Sequence, residues 1–205
     1  MAKKRTEARS TSPRSRDRGR ETRRRLIEAT AQLCKERPGA EVSVAEIANA
    51  AGAFPNQVTY YFGSKDSLLV HAAFLGLLHD ARRAERIGRQ APDAVTFRRN
   101  IARAVLAMPS LPSVGQALAA AISKPELAPV VDRHLQLLFR QSERFVCHLI
   151  DSRGWSTRRP LSMEVRTFWS TALGAVLLVR AGAHGTAADL DLAGALTIHD
   201  ESEPL

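Results

Sequence analysis

The sequence predicts an all-α fold in two parts, a small amino-terminal domain and a larger helical domain. Apolar residues recur at helical spacing along most of the chain, and no alternating strand pattern bounded by turns is present. With 205 residues, of which 44% are apolar, the chain has ample material for a sizeable core. Proline and glycine mark the ends of the candidate helices.

Positive charge is concentrated at the amino terminus. Residues 1–25 hold eleven Lys or Arg against Glu7, Asp17 and Glu21, which places +8 of the net charge of +9 there. Residues 1–19 are rich in Ser, Thr and Arg and nearly lack large apolar side chains, so we expect a disordered basic arm. A basic segment of this kind favours contact with nucleic-acid phosphates.

Residues 20–66 predict a helix-turn-helix. A first helix starts at about Arg20 and ends before Pro38. Ser43 and Glu46 have the spacing of a capping box and begin a second, short helix. Gly52 supplies the left-handed conformation of a tight turn before a third helix, in which Asn56 and Gln57 share an exposed face with Tyr60 and Tyr61. Amide groups can bond an adenine edge in both directions, which predicts a base-reading face.

This region resembles the DNA-binding domain of TetR-family transcriptional regulators over roughly residues 20–69. The matching positions are Ser43, Ile47-Ala48, Ala51-Gly52, Tyr60-Tyr61-Phe62, Lys65 and Leu68-Leu69. The resemblance implies a homodimer whose recognition helices enter successive major grooves of a pseudo-palindromic operator. It also implies a carboxy-terminal domain, residues 67–205, that dimerises and binds a small-molecule effector.

The resemblance and the basic segment together predict the DNA-binding residues. By position, Ser43 and Lys65 would hold phosphates, the start of the third helix would face base edges, and its later residues would line the backbone. The predicted set is Arg20, Arg23, Ser43, Ala45, Pro55, Asn56, Gln57, Thr59, Tyr60, Tyr61 and Lys65.

Three positions depart from the family pattern. Phe54 stands at the amino cap, where the family has Ser or Thr, and it leaves helix N–H groups that we expect to be free for a phosphate. Thr59 and Tyr61 replace a usual Tyr and His, which alters the usual phosphate-binding pair. Ala45 is too short for a hydrogen bond but long enough to contact a thymine methyl group.

The larger domain predicts six helices, near 65–89, 93–107, 113–123, 126–151, 161–181 and 189–199. One face of the 126–151 helix mixes polar and apolar groups as a ligand pocket requires. The predicted pocket residues are Phe74, Leu78, Phe97, Ile101, Met108, His134, Leu138, Gln141, Phe145 and His148. The alternative is that the apolar members are plain core and the polar ones a partly solvated flank.

The helix at 161–181 is too apolar to face water. Paired with 189–199, it suits a four-helix dimer interface, and small residues permit close approach. The predicted interface residues are Val165, Phe168, Trp169, Ala172, Val176, Leu190 and Leu196. The alternative is an interior helix of a monomer.

Other function classes lack the residues they need. The six histidines have no i, i+3 or i, i+4 ligand pair, and there is no nucleophile elbow or phosphate-binding Gly loop, so we expect no metal, no cofactor and no catalytic activity. The chain has no signal-like apolar stretch, and its arm has no apolar face for a membrane, which predicts a soluble cytoplasmic protein.

The leading hypothesis is therefore a homodimeric, ligand-responsive repressor that binds double-stranded DNA. The alternative is a helical small-molecule-binding protein whose contact with nucleic acid is non-specific and driven by charge alone. It predicts steep salt dependence without sequence preference.

Overall fold

The computed structural model of the chain describes residues 13–183 and 191–200. These residues form eight α-helices, one 3-10 turn at Pro125–Leu127 and one pair of two-residue strands, which confirms the all-α prediction. The helices are α1 (Pro13–Glu36), α2 (Val44–Ala50), α3 (Pro55–Phe62), α4 (Lys65–Arg89), α5 (Ala94–Leu106), α6 (Leu111–Ser123), α7 (Ala128–Arg153) and α8 (Leu161–Arg180). The strands are β1 (Ser156–Thr157) and β2 (Ile198–His199), paired antiparallel.

The first helix is longer than predicted. It begins at Pro13 rather than at about Arg20, so residues 13–19, which we expected to be disordered, are helical. Proline is favoured in a first helical turn, where its missing N–H costs nothing. Arg24 adds ion pairs of 2.7 Å to Glu21 and Glu28 on the exposed side of the helix. The rest of the expected arm, residues 1–12, lies outside the described residues.

The chain divides into two compact units between Leu68 and Leu69. The smaller unit has its own apolar core, formed by Leu26, Val42, Ile47, Ala51, Val58, Phe62 and Leu68. Gly52 links α2 to α3 with a φ of 57°, as the predicted left-handed turn requires. Ser43 caps α2 in the predicted capping box: its hydroxyl accepts from the Glu46 N–H, and Glu46 accepts from the Ser43 N–H.

In the larger unit, helices α4 to α8 pack around a second core. Phe74, Phe97, Leu111 and Leu138 are almost completely buried there. Helix α8 packs against both α6 and α7. At Gly115 of α6, a Cβ atom would lie 3.5 Å from Leu177, which is ordinary packing distance.

Residues 191–200 are not helical, so the prediction of a helix at 189–199 is wrong for its described part. They form turns and then β2. Asp191 accepts a hydrogen bond of 2.8 Å from the Gly194 N–H, a local bond that favours a turn over a helix. The segment still buries Leu192, Leu196 and Ile198 in the core.

Among the described residues, no single helix has both the length and the hydropathy to cross a membrane. Helices α5 and α6 meet that test only as a pair, and the chain bends by 69° between them.

Candidate nucleic-acid interface and ligand cavity

The exposed face of α3 contains Asn56 and Tyr60 of the four residues that the sequence predicts there. Pro55, Asn56, Thr59 and Tyr60 are exposed, and Gln57 is half-buried. Val58 and Phe62, on the opposite side of the helix, lie in the core. Because Val58 and Phe62 pack in the core, the opposite side of this short helix presents its polar groups to a partner in a fixed orientation.

The amino terminus of α3 differs from the expectation. Phe54 supplies no side-chain cap, but one of the helix N–H groups expected to be free, that of Gln57, donates to the Phe54 carbonyl at 3.0 Å. The Phe54 N–H in turn donates to Oε1 of Gln57 at 3.0 Å. The carbonyl oxygen of Gln57 is therefore engaged within the helix itself. The aromatic ring of Phe54 is 74% exposed beside Pro55.

Helix α2 is positioned by a charged cluster at its start. Arg37 donates to Glu46, which also accepts from the Ser43 N–H. The Arg37 guanidinium, followed by the Ser43 hydrogen bonds, lowers the pKa of Glu46 to about 2. The carboxylate is thus held ionised, and Ser43 and Ala45 remain exposed on the outer side.

The two predicted tyrosines have different surroundings. Tyr60 is 80% exposed, whereas Tyr61 is half-buried and packs edge-on against it, with 4.9 Å between the ring centroids. The Tyr61 hydroxyl also lies against α1, where a Cβ atom at Gly19 would be 3.4 Å from it. Tyr60 is therefore the more accessible of the two to a DNA backbone.

Two of the predicted basic contacts are engaged inside the unit. Lys65 donates from Nζ to the Ala40 carbonyl at 3.0 Å, and the Arg23 guanidinium lies 5.1 Å above the Phe62 ring. Arg20 is exposed as predicted. The sequence analysis did not single out Arg25, which is exposed and lies near the turn, within 3.4 Å of where a Gly52 Cβ atom would be. Arginines recur along α1, and this pattern was the sequence signal that could have identified Arg25.

The larger unit encloses a cavity of about 50 Å³ with almost wholly apolar walls. Helices α4, α5, α7 and α8 and the segment that contains Leu196 form those walls. The lining residues are Ala81, Ala84, Glu85, Phe97, Ile101, Val105, Ser142, Phe145, Val146, Val165, Phe168, Trp169 and Leu196.

This cavity contains only part of the predicted pocket wall. Only Phe97, Ile101 and Phe145 of the predicted set line this cavity. Phe74, Met108 and Leu138 are buried in the core outside it, Leu78, His134 and Gln141 are half-buried elsewhere, and His148 is exposed. The difference is one of helix phase, because α7 turns Ser142 and Val146 toward the cavity rather than Gln141 and His148.

Two polar groups interrupt the apolar lining. The Ser142 hydroxyl accepts a hydrogen bond of 2.9 Å from Nε1 of Trp169. Burial raises the pKa of Glu85, although Arg89 and Arg82 oppose that shift. The cavity therefore offers an apolar enclosure with a hydroxyl and a carboxyl group for orienting a guest molecule.

A pair of histidines lies elsewhere in the larger unit. Nδ1 of His71 and Nε2 of His134 are 2.7 Å apart, and the His134 ring stacks on Phe74 with 5.0 Å between centroids. The sequence analysis missed this pair, since 63 positions separate the two residues. Within the described part of the chain, no group of three or more metal-binding side chains accompanies them.

The predicted dimer face also needs correction. Val165, Phe168, Trp169 and Ala172 are buried within the chain's own core, and Val176 is half-buried. Leu196 lines the cavity, and Leu190 lies outside the described residues. The outward face of α8 is instead formed by Met163, Ser170, Gly174 and Leu178, with Met163 and Leu178 more than half exposed.

Both parts of the chain match protein-family models. Residues 26–72 match the model described as bacterial regulatory proteins of the tetR family, and residues 94–197 match the model of a bacterial transcriptional repressor carboxy-terminal domain. No curated protein matches the sequence significantly.

Solved structures share the fold. A putative transcriptional regulator from Rhodococcus sp. RHA1 has 29% identity and a TM-score of 0.67, with 84% of this chain and 91% of that chain covered. RolR in complex with resorcinol has 19% identity and a TM-score of 0.55, covering 88% and 87%. The multidrug-binding protein EbrR, complexed with imidazole, has 20% identity and a TM-score of 0.53, covering 85% and 86%.

Proposed function

The chain belongs to the TetR family of bacterial transcriptional regulators, and we propose that it is a homodimeric repressor released from a pseudo-palindromic operator by a small molecule. The observation that carries the proposal is the exposed face of α3, where Asn56 and Tyr60 stand above a buried Val58 and Phe62. In a helix-turn-helix, such a face enters the major groove while basic side chains contact phosphates.

Binding to phosphates falls to the exposed groups around that face. Arg20 and Arg25 on α1 are accessible, as are the Ser43 and Tyr60 hydroxyls. Lys65 would have to exchange its bond to the Ala40 carbonyl for a phosphate. We therefore assign the main electrostatic contribution to the arginines of α1.

The cavity of the larger unit is the proposed effector site. Its aromatic and aliphatic walls suit a small, mostly apolar molecule, and Glu85 and Ser142 suit a hydroxyl or amine on that molecule. RolR, which shares the fold, holds resorcinol. The volume of the cavity is about 50 Å³, so a ring-sized effector would displace some of the lining side chains, and such a movement would couple binding to the helices that carry them.

The proposed dimer uses the outward face of α8. Apolar Met163 and Leu178 flank the small residues Ser170 and Gly174, and no atom of another described element lies within 4 Å of a Cβ atom built on Gly174. Small residues between apolar ones let a second helix approach closely. A dimer would place two recognition helices on successive major grooves.

The decisive experiment is competition between a candidate operator and random duplex at fixed salt. We expect the wild type to prefer the operator by about 10³-fold or more, and Asn56→Ala to lose most of that preference while retaining salt-dependent binding to random duplex. Gln116→Ala removes an equally exposed amide from α6 and should change neither quantity. Equal binding of wild-type protein to both duplexes would instead support the non-specific, charge-driven alternative.

A further inference from the structure

We propose that Phe54 and Gln57 specify two bases of each operator half-site, Phe54 a thymine through its methyl group and Gln57 a guanine through two amide N–H donors. This inference rests on the proposed function, since it needs the α3 face to enter a major groove. It assigns recognition to Phe54, for which the sequence indicated only a missing cap.

Phe54 lies directly before the first residue of α3. This residue immediately precedes the helix end that reaches base edges in a helix-turn-helix. Its ring is 74% exposed, next to the exposed Pro55 and Asn56. A Ser, Thr, Asp or Asn here would cap the helix, so the phenylalanine forfeits a stabilising bond while leaving its apolar surface in water.

An exposed aromatic ring can contact an apolar group on a base edge. The major groove presents one apolar group on its base edges, the C5 methyl of thymine, and aromatic or aliphatic side chains contact it there. Covering the Phe54 ring with that methyl removes both apolar surfaces from water. The ring therefore favours thymine over cytosine, adenine or guanine.

The hydrogen bond between Gln57 and the Phe54 N–H limits what the Gln57 side chain can offer to a base. Reading adenine requires both the oxygen and the amide nitrogen of a glutamine. Here Oε1 of Gln57 already accepts from the Phe54 N–H at 3.0 Å, while its Nε2 has no hydrogen-bond partner among the described residues. One of the two lone pairs of Oε1 is therefore engaged at the start of the helix, whereas both Nε2 donors remain available, and guanine is the base that presents two adjacent acceptors, N7 and O6.

The test begins with selection of duplexes from a random library by the full chain. The wild type should enrich a two-fold motif with thymine and guanine at fixed positions of each half-site. Phe54→Ala should lose the thymine preference only. Ile122→Ala removes an equally exposed apolar side chain, 81% exposed on α6, and should return the wild-type motif.

Uracil substitution isolates the methyl group. Replacing the selected thymine by uracil should weaken wild-type binding about fourfold per half-site, the value of one buried methyl group, and leave Phe54→Ala unaffected. If wild type and Phe54→Ala respond equally to uracil, the assignment of Phe54 is wrong.

Gln57→Glu separates capping from recognition, because its carboxylate still accepts from the Phe54 N–H but has no donors. Its thermal stability should match or exceed that of the wild type, and its motif should replace guanine by cytosine, whose N4 amino group donates to a carboxylate. A wild-type motif with adenine at the Gln57-dependent position would overturn the assignment of guanine to Gln57. A wild type that enriches no motif would overturn the proposed function and, with it, this inference.

Discussion

At the residue scale, Glu164 is a buried carboxylate that binds two other parts of the larger unit. Its side chain is completely buried at the start of α8 and accepts from Nε of Arg159 at 2.9 Å and from the Thr197 N–H at 2.8 Å. Burial raises the pKa of Glu164, but the bonds from Arg159 and Thr197 outweigh it and leave the pKa below its ordinary value. The carboxylate therefore ties the 191–200 segment to α8.

Replacing Glu164 by glutamine should destabilise the larger unit by about 2 kcal/mol, because a charged acceptor of several hydrogen bonds becomes a neutral one. Both tryptophans, Trp155 and Trp169, lie in this unit, so fluorescence-detected unfolding reports on it alone. Glu126→Gln, at an exposed site, is the matched control and should unfold like the wild type.

The stability difference between wild type and Glu164→Gln should depend on pH. Since the folded-state pKa of Glu164 is lowered, the unfolded chain binds more protons, and the contribution of the carboxylate is present above the unfolded pKa of about 4.3. It is lost as the pH falls through the folded pKa. The free energies of unfolding of the wild type and Glu164→Gln should therefore converge at acid pH. A difference that grows toward acid pH would contradict this account.

Single residues also mark the limit of prediction from the sequence. The missing side-chain cap at Phe54 follows from its identity, and the structure agrees. The bond from its N–H to Gln57 does not follow, because Phe54 lacks the Ser or Thr hydroxyl that completes the capping-box pattern by which such a bond is predicted. The capping box of Ser43 and Glu46 was predictable because both residue types and their spacing define it.

At the element scale, Gly88 shows how α4 accommodates the cavity wall. A Cβ atom at this buried position would lie 2.9 Å from Cε2 of Phe97 and 3.2 Å from Cζ of Phe145. Both rings line the cavity. The absence of a side chain at Gly88 therefore lets two aromatic groups lie directly against the helix backbone.

Gly88→Ala should destabilise the larger unit. Displacing a packed ring costs about 1–3 kcal/mol, which exceeds the gain of about 1 kcal/mol from replacing a helical glycine by alanine. Gly115→Ala is the control, because its new methyl group meets Leu177 at an ordinary 3.5 Å. Denaturant unfolding should rank Gly115→Ala above Gly88→Ala, and the reverse order would show that the rings yield freely.

Helix existence was predictable, but helix orientation only in part. Alternation of apolar and polar residues fixed the buried side of α3, where Val58 and Phe62 stand against a polar face. Helix α8 has apolar residues all round, so its sequence cannot say which side faces the core, and the side chosen for a dimer is the buried one. The spacing of Leu190, Ala193 and Leu196 predicts a helix at 189–199. The described part of this segment instead bonds to Glu164 through the Thr197 N–H, a long-range contact that the spacing does not reveal.

At the scale of the whole molecule, the outward face of α8 should control assembly. Leu178→Glu places a charge where 56% of an apolar side chain is exposed, so we expect it to shift sedimentation from dimer toward monomer and to weaken operator binding. The unfolding transition should change little. Val95→Glu, at an exposed site of α5, is the control and should remain dimeric, whereas a dimeric Leu178→Glu would move the interface to another surface.

Long-range pairings are what the sequence leaves open at this scale. The contact between His71 and His134 joins residues 63 positions apart, and the cavity collects side chains from α4, α5, α7 and α8. Periodicity describes one helix at a time, so it cannot say which faces of four helices meet. The division into two units was easier to foresee, because the helix-turn-helix is contiguous in the chain.

The late position of residues 191–200 has a consequence for biosynthesis. Leu192, Leu196 and Ile198 complete the core of the larger unit, and Asp200 accepts a bond of 3.2 Å from the Ala94 N–H. Domains fold in order as the ribosome releases them, and the smaller unit ends at Leu68. A nascent chain therefore completes its helix-turn-helix unit well before the core of the larger unit is finished. Prematurely terminated chains would carry an open core, and cellular proteases would encounter that core first.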